Sequence, residues 1–268
     1  MTKTISILIF SVLFLISTVF AVDTMPDFTL EDINGDQVDS EELLNKKAVI
    51  VDFWAKWCGP CKKALPHLSD LQEKYEDHVN VVCITIDKAR DGNKAQSYVK
   101  SRDFKFITLF DPNKDVCKLF NVNTIPRTFI INKNREIVYR HEGYTQGDEN
   151  KLETELRKVI FKDITIDELN EMFPPEELPE QINYVSPVYP EKAHEDKVEA
   201  DVILDLEIME DGSVGQIYFI SASIDTTHGF EKSAIDAVRQ WIFNPITVDE
   251  ESVKVRLLYP IRFRIEKQ

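Results

Sequence analysis

The sequence predicts an α/β domain followed by a smaller α+β domain, and three observations carry that prediction. Between residues 48 and 134 short continuous apolar runs alternate with helical periodicity, the order of a covered, largely parallel sheet. After residue 184 the pattern becomes strict alternation, the mark of an antiparallel sheet. Separating the two is "DITIDELNEMFPPEELPEQ" (163–181), which has seven acids, no basic residue and three prolines. Its apolar periodicity lapses after Leu169, so it reads as an exposed linker with a short helix at its start.

The elements follow in chain order. The opening "MTKTISILIFSVLFLISTVFAVD" has one lysine, an uncharged apolar run from Ile5 to Phe20, and small residues Val19 and Ala21 at cleavage spacing. This is the order of a secretory signal peptide, with a mature N-terminus expected at Val22; the run is also long enough to act as an uncleaved N-terminal anchor. Either way the rest of the chain is expected outside the cytoplasm, in a periplasm or equivalent compartment. "AVIVDFWA" (48–55), "VNVVCITID" (79–87), "KFITLFD" (105–111) and "TFIINKN" (128–134) are predicted strands, with helices at 61–77, 93–102, 114–121 and 148–161. Beyond the linker, "VEADVILDLEIM" (198–209) places Val198, Ala200, Val202, Leu204, Leu206 and Ile208 on one face. An "EDGS" turn, a strand from Val214, a helix from Phe230 to Trp241 and a last strand over 253–266 complete the reading. The expected division is therefore 1–21 signal or anchor, 22–162 α/β domain, 163–183 linker, and 184–268 α+β domain.

Composition bounds the function. With 268 residues, 43% hydrophobic and 29% charged, the chain is an ordinary globular protein rather than a disordered one. The formal charge of −15, or −16 once Lys3 leaves with the signal, repels phosphate backbones, so no nucleic-acid partner is expected.

The chemistry lies in "WAKWCGPCKK" (54–63). Two cysteines separated by Gly-Pro fit half a zinc site, a structural disulfide or a redox-active pair. Zinc would need a second ligand pair, and neither Cys83 and Cys117 nor His67, His78, His141, His194 and His228 stand at ligand spacing; no metal is expected. A structural bridge would make no use of the position, because the segment follows a buried strand and begins a helix. Cys58 stands at that helix's N-terminus, where unpaired N–H groups and the dipole favour a thiolate. Pro60 suits a first turn, Gly59 allows close approach of another chain, and Cys61 is near enough to resolve a mixed disulfide formed at Cys58. Trp57 is a candidate substrate contact, while Cys83 in a strand and Cys117 in a helix read as buried free thiols.

"VDFWAKWCGPCKKALP" resembles the active-site segment of thioredoxins, down to Pro66 five residues after the second cysteine. The earlier "MPDFTLEDINGDQVDSEELLNKKAVIVDFWA" and the added helix and strand near 93–110 resemble the extracytoplasmic TlpA/ResA branch, over roughly residues 25 to 160. The resemblance implies a thioredoxin fold and a thiol:disulfide oxidoreductase with no cofactor beyond the Cys58–Cys61 disulfide, probing protein thiols and disulfides and drawing on a membrane electron donor. It also implies that Pro126, preceded by Ile125 in "TIPRTFI", is cis and packs beside the cysteines, where the adjoining backbone pairs with substrate. Asp52 falls at the family's buried carboxylate, whose proton affinity burial raises, making it the expected proton acceptor for Cys61. One departure stands out: the lysine usual near that carboxylate is replaced by Cys83, four residues before Asp87.

The last 80 or so residues resemble the TonB C-terminal domain, through Tyr189-Pro190, Asp211-Gly212, the Ala234/Ala237/Trp241 face, Phe243 and Pro245, over about residues 184 to 266. That resemblance implies binding of an extended peptide or envelope protein by strand addition. Two functions of different class are therefore in play: an oxidoreductase positioned by a binding domain, or a TonB-like binding or energy-coupling protein for transmembrane transport with a thioredoxin-like scaffold. The intact set Cys58, Cys61, Asp52 and Pro126 favours the first.

Overall fold

The structure is a computed structural model that describes residues 23–174, 178–224 and 226–265. The expected signal or anchor, residues 1–21, lies outside the described residues. Among those described, no helix is long and apolar enough to cross a membrane.

The chain runs β1 (Thr29–Asp32), β2 (Gln37–Asp39), β3 (Ala48–Trp54), α1 (Gly59–Lys74), β4 (Val79–Thr85), α2 (Gly92–Ser101), β5 (Ile107–Phe110), α3 (Asp115–Leu119), β6 (Arg127–Asn132), β7 (Ile137–Glu142) and α4 (Asp148–Ile160). These strands form one seven-stranded sheet in the order β2-β1-β5-β4-β3-β6-β7. The centre, β3-β4-β5, is parallel, as the unbroken apolar runs predict, and β6 and β7 are added antiparallel. Every residue of β3 and β4 is buried, Asp52, Asn80, Cys83 and Thr85 included. β7 had no expectation in the sequence because it is an edge strand of thin apolar content: Val138, Arg140 and Glu142 are exposed, and the alternate residues only half-buried.

The second half contains α5 (Ile166–Met172), β8 (Gln181–Asn183), α6 (Glu191–Glu195), β9 (Ala200–Ile208), β10 (Val214–Ala222), α7 (Phe230–Val238), β11 (Ile242–Phe243), β12 (Thr247–Val248), β13 (Glu251–Ser252) and β14 (Val255–Phe263). β10-β9-β14 is an antiparallel sheet, while β8 pairs with β11 and β12 with β13. Val202, Leu204, Leu206 and Ile208 bury one face of β9 against Phe230, Ala234, Val238 and Trp241 of the α7 region. Trp241 Nε1–H donates to the Val185 carbonyl at 2.8 Å, which satisfies its polar edge. The turn before β10 needs glycine: Gly212 has φ +82°, and a Cβ there would meet the Phe243 carbonyl oxygen at 1.9 Å.

Two features differ from the sequence reading. The segment over 163–183, expected as an exposed linker, is anchored at both ends. Its helix α5 begins with a Thr165/Glu168 capping box, Ile164 and Leu169 enter the first core, and β8 pairs with β11. The second difference is the other face of β9, to which the sequence reading assigned no partner. Ile203 of β9, Ile220 of β10 and Leu258 of β14 join the core of the first domain, and Asp205 has no exposed surface. Arg157 of α4 meets Asp205 with two bonds, Nε to Oδ2 at 2.7 Å and Nη2 to Oδ1 at 3.0 Å. Arg256 of β14 pairs with Asp205 Oδ2 at 2.6 Å and donates to Thr154 Oγ1 of α4 at 3.1 Å. The sheet of the second domain thus sits on α4 of the first through a paired, desolvated charge. Arg157 Nη1 also donates to Tyr75 Oη at 2.8 Å, at the C-terminal end of α1, so the contact reaches the helix that carries the cysteines.

Candidate active site

The site forms where β3 ends and α1 begins. Cys58 is the N-cap of α1 in extended conformation, with Pro60 in the first turn. Cys58 and Cys61 are joined as a disulfide with Cα atoms 5.3 Å apart, and the Cys61 N–H donates to Cys58 Sγ at 3.2 Å. The two sulfurs differ in access. Cys58 is 5% exposed and Cys61 fully buried, with Gly59, Pro60 and Trp57 exposed around the outer one. A partner can reach Cys58 first. In a reduced pair, the orphan N–H groups of the first turn would stabilise the Cys58 thiolate.

Pro126, at the start of β6, completes the rim. The Ile125–Pro126 bond is cis, Pro126 is buried, and the Ile125 carbonyl oxygen lies 3.8 Å from Cys58 Sγ. Trp57, 68% exposed, is the largest apolar side chain beside the pair; Trp54 is wholly buried in the core.

Asp52 lies in β3, directly between Cys83 of β4 and Thr128 of β6 in register. It is fully buried. Thr128 Oγ1–H donates to its Oδ1 at 2.7 Å, and Oδ2 has no hydrogen-bond partner. Burial pushes its pKa from 3.8 to about 7, against a smaller opposing effect of the Thr128 bond. Cys83, the residue in place of the usual lysine, is a free buried thiol; burial, then the Asp52 carboxylate, pushes its pKa well up. Cys117 is also free and buried, its thiol 3.5 Å from the Val122 carbonyl. Asp87 accepts from the Lys56 N–H and the Thr85 hydroxyl, which ties the end of β4 to the segment before Cys58. Among the described residues, no group of three or more His, Cys, Asp and Glu side chains could hold a metal ion.

Of the residues the sequence reading singled out, Trp57, Cys58, Gly59, Pro60 and Cys61 lie where β3 passes into α1, Ile125 and Pro126 stand beside Cys58, and Asp52 is in β3, two residues before its end. The sequence reading did not find Thr128. The available signal was its position two residues after Pro126 in a strand paired with β3, which only register converts into a contact with Asp52.

A CGPC disulfide at a helix N-terminus, beside a cis-proline loop on a β-α-β sheet with antiparallel extensions, defines the class: thioredoxin-fold thiol:disulfide oxidoreductases. Residues 21–140 match the AhpC/TSA family, and residues 185–265 match the Gram-negative bacterial TonB protein C-terminal family. Thiol-disulfide oxidoreductase ResA of Bacillus thuringiensis subsp. konkukian is 28% identical over 134 residues, 50% of this chain and 75% of the relative. Thioredoxin-like protein YneN of Bacillus subtilis is 31% identical over 119 residues, 44% of this chain and 69% of the relative. Among solved structures, a putative thiol:disulfide interchange protein DsbE from Chlorobium tepidum is 29% identical, with a TM-score of 0.48, covering 52% of this chain and 96% of its own. The chain belongs to the thioredoxin-like proteins, and its residues 185–265 form a TonB C-terminal domain behind the redox domain.

Proposed function

We propose that the protein is an extracytoplasmic reductase of protein disulfides whose C-terminal domain holds it at a partner. The observation that carries this reading is the unequal access of the two sulfurs at the start of α1. The reduced Cys58 thiolate attacks one sulfur of a client disulfide, and the client's other sulfur leaves as a thiolate. Cys61 gives its proton to Asp52, attacks Cys58 Sγ and releases the second client sulfur, leaving the Cys58–Cys61 disulfide. Two electrons pass to the client, and a membrane-bound thiol donor restores the dithiol. Trp57, Gly59, Pro60 and the backbone at Ile125 and Pro126 form the surface that receives the client chain.

The C-terminal domain contributes a binding surface. No described strand pairs with the outer edge of β14 or of β10, so an extended peptide or envelope protein can add a strand there. Pro260 within β14 accords with an outermost strand, since it has no N–H to give a ladder. The rival reading, a TonB-like coupling protein on an inert thioredoxin scaffold, predicts no thiol chemistry. Insulin reduction by the full chain separates them: turnover that Cys58→Ser abolishes supports the reductase, and an inactive wild type with an intact dithiol rejects it.

A further inference from the structure

One register line carries hydroxyl, thiol, carboxyl and imidazole side chains across five adjacent strands of the main sheet, β5 to β7. Thr108 of β5 pairs with Cys83 of β4, Cys83 with Asp52 of β3, Asp52 with Thr128 of β6, and Thr128 with His141 of β7. In-register neighbours point to the same side of a sheet, so these five side chains form one row. A polar row through a buried sheet is costly unless it is hydrogen-bonded, and this one is incomplete: Asp52 Oδ2 and Thr108 Oγ1 have no partner. Its two ends differ. Thr108 is 2% exposed, whereas the His141 side chain is 25% exposed and its Nε2 lies 3.0 Å from Asp148 Oδ2, itself 24% exposed.

Between Thr128 and that outer pair is a narrow cavity of about 20 Å³, lined among others by Thr128, Ala64, His67, His141, Tyr144 and Asp148. That is room for one water molecule in a mostly apolar lining, to which Thr128 and the His141–Asp148 pair contribute polar side chains. Asp52 has no exposed surface, so any proton it exchanges with solvent, rather than returning to Cys61 when the dithiol is restored, needs a path through the protein. We propose that the Thr128 hydroxyl and the cavity behind it are that path, with the His141–Asp148 pair as its outer terminus. The inference rests on the reductase reading for its purpose. Each hop breaks one bond to hydrogen and forms another: the Asp52 carboxyl gives its proton to Thr128 Oγ1, the Thr128 hydroxyl proton passes to a cavity water, and that water yields one to the imidazole or to solvent. No electrons move. Thr128 and His141 act through Asp52 and are positioning and relay residues.

Proton exchange at Asp52 can be followed without turnover in the full-length disulfide form, where the cysteines do not titrate. The protein is mixed from acidic H2O into D2O buffer, and the protonated carboxyl band that Asp52→Asn removes is followed by infrared spectroscopy. Thr128→Val should slow the exchange about tenfold or more, Thr128→Ser should restore it, and His141→Gln should slow it measurably. Ala64→Val, which narrows the cavity and leaves every hydrogen bond of the row in place, should slow it as well and guards against a folding defect in the threonine variant. Wild-type exchange rates in Thr128→Val or in Ala64→Val overturn the path, and an unchanged rate in His141→Gln overturns its terminus. Insulin reduction by the wild type reports separately on the reductase reading, because the exchange measurement needs no activity.

Discussion

Asp52 and Asp205 are both aspartates without exposed surface, one in each half of the chain, and their surroundings are opposite. Asp52 accepts one hydrogen bond from a neutral hydroxyl and has a free oxygen, so its proton is retained to about pH 7. Asp205 faces two guanidinium groups, one of them bidentate from the other domain. A buried carboxylate with too few partners is a store of proton affinity next to a redox pair; one with two cations is an attachment point. The N-terminal half therefore leaves a buried carboxylate uncompensated, as the proposed proton acceptor requires, while the carboxylate of the C-terminal half joins the two domains.

The comparison can be broken in both directions. Arg157→Leu leaves Asp205 short of its bidentate partner and should destabilise the protein by about 3 to 5 kcal/mol in denaturant unfolding. A loss under about 1 kcal/mol would show that Arg256 alone suffices and that the domain contact is weaker than its burial implies.

Asp52→Asn should act with the opposite sign. The unfolded chain gives up this proton near pH 3.8 while the folded chain holds it to about pH 7, so in that window the folded state binds more protons and stability falls as pH rises. The substitution should be near neutral at pH 4 and stabilising by roughly 4 kcal/mol at pH 8, an order of magnitude set by the size of the shift. It should also flatten the rise of the reductase rate through pH 7. Thermal melts at the two pH values check the first point and a pH–rate profile the second.

Smaller effects should be confined to the second domain. Gly212→Ala forces a left-handed φ and a contact with the Phe243 carbonyl, which should cost about 2 kcal/mol or more while insulin reduction is retained. Trp241→Phe keeps the ring in the α7 core and orphans the Val185 carbonyl, a loss of about 1 to 2 kcal/mol. Loss of reductase turnover in either variant at a temperature where it is folded would mean that the second domain completes the active site.

Much of this was legible in the sequence, for identifiable reasons. The covered strands announce themselves because both faces are apolar, and Cys58 and Cys61 because a strand-to-helix transition fixes where the pair must stand. The alternation of β9 located its core face correctly, through Val202, Leu204, Leu206 and Ile208. It left the other face unread, because the partners that bury Asp205 are far along the chain, Arg157 48 residues earlier and Arg256 in β14. Thr128 escaped for a related reason: its partner, Asp52, is 76 residues away and only strand register joins them. The anchoring of residues 163–183 escaped because two buried side chains, Ile164 and Leu169, are too few to make a period.

The division of labour rests on Cys58 being the sulfur that meets the client. Full-length Cys61→Ser and Cys58→Ser, each reduced and then mixed with a disulfide-containing client, should behave differently on non-reducing gels with mass-spectrometric mapping of the bridge. Cys61→Ser should accumulate a mixed disulfide at Cys58, since the resolving thiol is gone, and Cys58→Ser should form none. A stable adduct at Cys61 in the Cys58→Ser protein, with none in Cys61→Ser, would contradict the assignment.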